Sequence, residues 1–100
     1  ADDVYRRWAA EISKLLQSYH REYPLREGYP KEDLRSRKFQ AIPNKAFQLL
    51  LLEMEKDGLI RFIREEEKRK IYEITSLGIE VLQKEKERIA RLYRTMKEDL

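Results

Sequence analysis

The spacing of apolar residues changes once along this chain, and that change confines the fold. From Val4 to Met54 apolar side chains recur three and four residues apart, the period of a helix face. After Gly58 the period shortens: Leu59-Ile60-Arg61-Phe62-Ile63-Arg64 and Lys70-Ile71-Tyr72-Glu73-Ile74 read as two β-strands. Helical spacing returns at Leu77 and lasts to the end. The chain is therefore mainly α with a small β-hairpin.

The punctuation between these segments is legible. Asp2 or Asp3 is placed to cap a first helix by accepting bonds from its unpaired amide donors. Val4, Trp8, Ile12, Leu15, Leu16, Tyr19 and Tyr23 form its apolar stripe, which reads as core packing. Pro24 stops it by disfavouring helical geometry at Tyr23. Leu25 to Tyr29 is a connector with Gly28 available for a positive φ. Pro30 suits the first turn of a second helix, Lys31 to Phe39. Glu32 and Asp33 near its start, with Arg35, Arg37 and Lys38 near its end, complement the helix dipole. A turn, Ala41 to Asn44, follows. Asn44 is the expected N-cap and Gly58 the stop of a third helix, Lys45 to Asp57. Phe47, Leu50, Leu51 and Met54 form its buried face, widened by Leu49 and Leu52. Glu65 to Arg69 is the charged tip of the hairpin. Thr75 caps a last helix from Ser76 onward, with Leu77, Val81, Leu82, Ile89, Leu92, Tyr93 and Met96 on its apolar face. Lys84 to Arg88 interrupts that stripe, so the middle of this helix is expected to leave the domain surface.

One hundred residues make one domain with one small core. Charged residues are 41% of the chain, well above the usual ~25%. With 22 basic and 19 acidic residues the net charge is only +3, which permits phosphate binding without demanding it. The absence of cysteine excludes disulfides, thiolate metal sites and cysteine nucleophiles. No apolar run approaches the ~18 residues of a membrane span, and no signal-peptide pattern opens the chain, so a cytoplasmic setting is expected. The opening Ala1 and a last helix running to Leu100 are expected of a segment cut, or trimmed, from something longer.

Three helices followed by a hairpin is the winged-helix order, in which the second and third helices form the helix-turn-helix and the hairpin the wing. The expected division is a winged-helix domain over residues 1–75. A C-terminal helix, 76–100, then packs on it or leads into a following module. Two resemblances bear on this. Residues Tyr5 to Ile63 resemble the C-terminal winged-helix region of the bacterial selenocysteine-specific elongation factor. The likeness rests on Tyr19-His20, Tyr23-Pro24-Leu25-Arg26, Gly28 and Glu32-Asp33-Leu34-Arg35-Ser36-Arg37. It continues through Ile42-Pro43, Phe47 and Asp57-Gly58-Leu59. Lys38 departs from it, standing where an apolar residue is expected. Asp57-Gly58-Leu59-Ile60 followed by Tyr72-Glu73-Ile74-Thr75-Ser76-Leu77-Gly78 is similar to the wing of many transcriptional regulators, and bears on fold more than function.

The resemblance to the elongation factor implies a tandem array of winged helices linking a tRNA-carrying GTPase to a hairpin in the messenger RNA. Chiefly the terminal module grips that hairpin, and this chain resembles an earlier one. The expected role is spacing or positioning with at most auxiliary RNA contacts. The partners are RNA through the parent protein and neighbouring winged-helix modules, with duplex DNA disfavoured. The rival reading is a stand-alone regulator dimerising through Leu82, Ile89, Leu92, Tyr93 and Met96. A third is a protein-interaction module using Leu49 and Leu52.

Charge locates the candidate nucleic-acid contacts. Residues 31–45 carry five basic and two acidic groups, whereas 1–30 are balanced and 46–58 are acidic. Lys31, Arg35, Arg37, Lys38 and Lys45 are candidates on that basis, because Lys and Arg release counterions when they meet phosphates. The mixed-sign wing adds Arg64, Lys68, Arg69 and Lys70, set against Glu65, Glu66 and Glu67. On the third helix the outward face should be Lys45, Gln48, Leu52 and Glu55, which offers few donors to base edges. Enzymatic chemistry finds no footing. The one histidine, His20, flanks an apolar stripe, and there is no glycine-rich phosphate loop, metal-ligand cluster or cofactor motif.

Overall fold

Helix formation stops where the prolines and Gly58 stand. The computed structural model describes residues 2–98, except the side chains of Asp2, Asp3 and Lys38, so the expected Asp cap lies outside the described residues. In order come α1 (Asp2–Glu22), β1 (Tyr29–Pro30), α2 (Lys31–Lys38), α3 (Asn44–Lys56), β2 (Ile60–Glu66), β3 (Arg69–Ile74) and α4 (Ser76–Glu98). This is the winged-helix order with one strand more than the sequence reading supplies. β1 lies antiparallel on β3, which pairs with β2, giving the sheet order β1-β3-β2. Pro30 donates nothing to the ladder, which suits its position on an edge strand.

Gly28 explains how β1 gets there, and the freedom it offers for a positive φ is not used. Its φ is not positive. Instead a Cβ at this position would meet the Tyr72 carbonyl oxygen at 2.5 Å, Ile63 Cδ1 at 2.7 Å and Ile71 Cγ2 at 2.8 Å. Glycine is there for close approach to the sheet. The left-handed glycine is Gly58, φ +78°. Its N–H donates to the Glu55 carbonyl at 3.0 Å, and the Leu59 N–H donates to that of Met54 at 2.9 Å. This pair of bonds closes the carbonyl end of α3.

At the other end of α3, Pro43 takes the N-cap position in extended geometry and Asn44 is already helical, with no side-chain cap. The expected Asn44 cap is thus displaced by one residue. Pro30 likewise stands just before α2 and not within it. Thr75 does cap α4: its Oγ1 accepts from the Gly78 N–H at 2.9 Å and donates to the Gly58 carbonyl at 2.6 Å. One hydroxyl so fastens the start of α4 to the end of α3.

The core is a line of rings and branched side chains. Ile12 and Leu16 of α1, Leu34 of α2, Phe47, Leu51 and Met54 of α3, and Ile60 of β2 are fully enclosed. Trp8 meets Phe39 edge-on at 5.4 Å, and Phe39 meets Phe47 at 5.5 Å, joining three helices. Two sequence expectations shift. Ala9 and Ser13 are buried where α1 faces α4, while Val4, at the start of the stripe, is exposed. Leu49 and Leu52 do not widen the buried face of α3; both are 59% exposed, on its outer side.

The wing is longer than alternation suggests. Glu65, Glu66 and Arg69 belong to the strands, leaving only Glu67 and Lys68 as the turn, at φ 51° and 66°. Ile63 is an extra residue in β2, between Phe62 opposite Tyr72 and Arg64 opposite Ile71. α4 is 23 residues, about 34 Å long. Gly78 and Leu82 seat its first turns, and beyond Glu85 its side chains are exposed. Among the described residues no helix is long and apolar enough to cross a membrane.

Candidate nucleic-acid interface

α3 turns Phe47, Leu51 and Met54 inward, so Lys45, Gln48, Leu49, Leu52 and Glu55 must face out. The wing rises beside this face. Between them lies an open cleft of about 420 Å³. Leu49, Leu52 and Tyr72 supply its apolar surface. Lys31 from the start of α2, Lys45 from the first turn of α3, and Lys68 and Lys70 from the wing bring four positive charges to it. Glu32, Glu55 and Glu65 bring three negative ones. Burial, then Glu55 and Glu32, push the Tyr72 phenol above its ordinary range, so it remains a neutral hydroxyl.

Of the nine sequence candidates, these four converge and four others, Arg35, Arg37, Arg64 and Arg69, do not. Arg35 is half-buried; its Nη2 donates to the Ile42 carbonyl at 3.0 Å and its Nε is enclosed without a partner. It braces the α2–α3 turn and does not reach the cleft. Arg37 stands on another side of the molecule, beside Tyr19, Tyr23 and Tyr29. Arg64 bonds Glu27 at 3.0 Å and Glu66 at 3.1 Å, tying the wing to the α1–β1 connector. Arg69 lies 3.9 Å from Asp33 on α2. The Lys38 side chain lies outside the described residues.

Sequence reasoning missed two features. Tyr72 reads as a core strand residue, and only the pairing of β1 on β3 reveals it as cleft floor. The second is an aromatic cluster at the end of α1. Tyr19 stacks on Tyr29 at 4.2 Å and tilts against Tyr23 at 5.1 Å, while Arg26 lies over Tyr23 at 4.6 Å and donates to the Tyr19 hydroxyl. Its members are spread over eleven positions and three segments, which no local pattern joins. His20 is exposed at the rim of a shallow hollow with Arg61 and Glu73, which pair with each other. Among the described residues no group of three or more His, Asp or Glu side chains is arranged to hold a metal ion.

Comparison with known proteins places this geometry. No curated protein matches the sequence. Two solved structures are similar, the first a transcriptional regulator. PcaV of Streptomyces coelicolor, solved with its natural ligand, is 16% identical with a TM-score of 0.68, over 92% of this chain and 60% of that one. A variant of MepR from S. aureus, bound to an oligodeoxyribonucleotide, is 17% identical with a TM-score of 0.69, over 92% and 63%. The chain thus spans less than two thirds of either, and at this identity the likeness establishes the winged-helix fold alone. The family described as "Elongation factor SelB, winged helix" matches residues 14–65, from the middle of α1 to the outer part of β2. The specific Pro-Leu-Arg, Gly and Leu-Arg-Ser-Arg pattern lies inside that match, and the chain belongs to the SelB winged-helix family of elongation factors.

Proposed function

We propose that this chain is a non-enzymatic winged-helix module of a selenocysteine-specific translation factor. It positions the GTPase part of that cytoplasmic protein relative to the part that grips the messenger RNA hairpin. Its own RNA contacts are auxiliary and run through the cleft between α3 and the wing. The observation that carries this reading, beside family membership, is the charge balance of that cleft: four lysines against three glutamates. A surface that reads duplex DNA needs donors aimed at base edges and a phosphate field of one sign. Here Gln48 and Lys45 stand beside Leu49, Leu52 and Glu55.

A regulator that dimerises through α4 would need Leu82 at the dimer seam. Leu82 is 3% exposed, buried within its own module. That weakens the rival reading.

The test is titration of hairpin RNA and duplex DNA at about 50 and 200 mM salt. Weak RNA binding is expected, with a log–log salt slope no steeper than about −4, because four lysines release about that many counterions. Lys45→Ala with Lys68→Ala should flatten the slope by about 2. Tight, sequence-selective duplex binding would overturn the reading in favour of the regulator. A slope that ignores both lysines would remove the cleft from it.

A further inference from the structure

The outer half of α4 carries an apolar stripe with no described side chain packed over it. Ile89, Leu92, Tyr93 and Met96 stand at i, i+3, i+4 and i+7 and are 50% to 67% exposed. Leu82, seven residues before Ile89, is buried beside Ala9 and Ser13 where α4 meets α1. The stripe therefore prolongs the line on which α4 is already seated, out past the body of the module. It also lies beyond residue 65, where the family match ends.

Charge says what fits there. Residues 84–98 hold six basic and three acidic groups. At about 100° per residue, Lys86 and Lys97 fall along one edge of the stripe and Arg88 along the other. Glu87 and Glu98 fall on the far face, and Glu85 is held by Arg88 at 2.6 Å. The Lys86–Lys97 edge is therefore positive, while the other edge holds the Arg88–Glu85 pair. A second copy would set the lysine edge against itself in antiparallel pairing and against the already satisfied Arg88–Glu85 pair in parallel pairing, so neither direction offers the lysines carboxylates. Four half-exposed side chains cover only a few hundred Å², short of the ~800 Å² per partner of a standard interface. Apolar contact alone does not suffice, so the edges select the partner.

We propose that the outer half of α4 docks an acidic amphipathic helix of another protein, its apolar face on Ile89, Leu92, Tyr93 and Met96 and its carboxylates against Lys86 and Lys97. The probe is a labelled three-heptad peptide with Leu at a and d and Glu at e and g, compared with its twin bearing Lys at e and g. The Glu-edged peptide should bind the 100-residue chain at least about tenfold tighter than the twin. Lys86→Glu with Lys97→Glu should reverse that order. Ile89→Ser with Met96→Ser should abolish binding while leaving the circular-dichroism melt unchanged, since both side chains are exposed. Equal affinity for the two peptides, or an order that survives the charge reversal, would overturn the proposal. So would a dimer in sedimentation that Ile89→Ser dissolves, or Ile89-dependent binding to phosphatidylserine vesicles in place of the peptide.

Discussion

Replacing Gly28 by alanine tests whether this glycine serves close packing or backbone freedom. At a residue with ordinary φ, Gly→Ala commonly stabilises by about 0.4–1 kcal/mol, through a less flexible unfolded chain. At Gly28 the new methyl would lie 2.5 Å from the Tyr72 carbonyl oxygen, which belongs to the central strand and cannot yield. Ile63 and Ile71 close the other sides within 3 Å. Overpacking of this kind costs about 1–3 kcal/mol. Relieving it by lifting β1 forfeits a ladder bond worth about 1 kcal/mol and loosens buried Tyr29 from its stack on Tyr19. The net loss should be about 3 kcal/mol, which for a domain of this length lowers Tm by about 12–20 °C. Thermal and urea unfolding followed by circular dichroism measure it. Asparagine sharpens the test, because it tolerates the left-handed region better than alanine does. At Gly58, with φ +78°, Asn should be milder than Ala. At Gly28 the bulkier Asn should be at least as harmful. A Gly28→Ala melt within about 2 °C of the parent, or Gly28→Asn outperforming Gly28→Ala, would refute the packing explanation.

Two further outcomes follow from the wing and the α4 cap. Glu67 and Lys68 both occupy the left-handed region, at roughly 1 kcal/mol or more each, so Glu67→Asn with Lys68→Gly should stabilise by about 1–2 kcal/mol. An unchanged guanidinium midpoint would show that the turn carries no strain. Thr75→Val keeps the shape but removes the acceptor of the Gly78 N–H and the donor to the Gly58 carbonyl. It should cost about 1–2 kcal/mol and speed exchange of the Gly78 amide, and protection equal to the parent's would refute the cap.

How much was legible depended on how far the cause lay from the residue. Gly58 and Thr75 act on neighbours a few positions away, and their roles were readable from local pattern. Gly28 sits between a turn and Tyr29-Pro30, which reads as a flexible connector; its real constraint comes from Ile63, Ile71 and Tyr72, far along the chain. Charge density groups Arg35 with the phosphate-seeking residues, but charge counts do not say which way a guanidinium points. It turns to the Ile42 carbonyl. Glu65, Glu66 and Arg69 hid the outer wing, because exposed strands carry no apolar alternation. Periodicity likewise marks an apolar face without saying whether anything covers it, so Leu51 and Leu52, adjacent in sequence, have opposite fates. Lys31, Lys45, Lys68 and Lys70 share a cleft because the fold brings the starts of α2 and α3 beside the wing, which charge density along the sequence does not show.

The two-residue strand β1 has a mechanical consequence. It is the piece of chain between α1 and α2, and it is paired to β3 of the wing through Tyr29 and Pro30. A wing attached only by its own hairpin is free to flap toward or away from the helix-turn-helix. This one is stitched to the entrance of α2, with the Arg64–Glu27 ion pair as a second stitch. Opening the cleft would tear both. Its width is consequently set before any ligand arrives. A displacement at one end of the module would pass through it undamped, as through a strut.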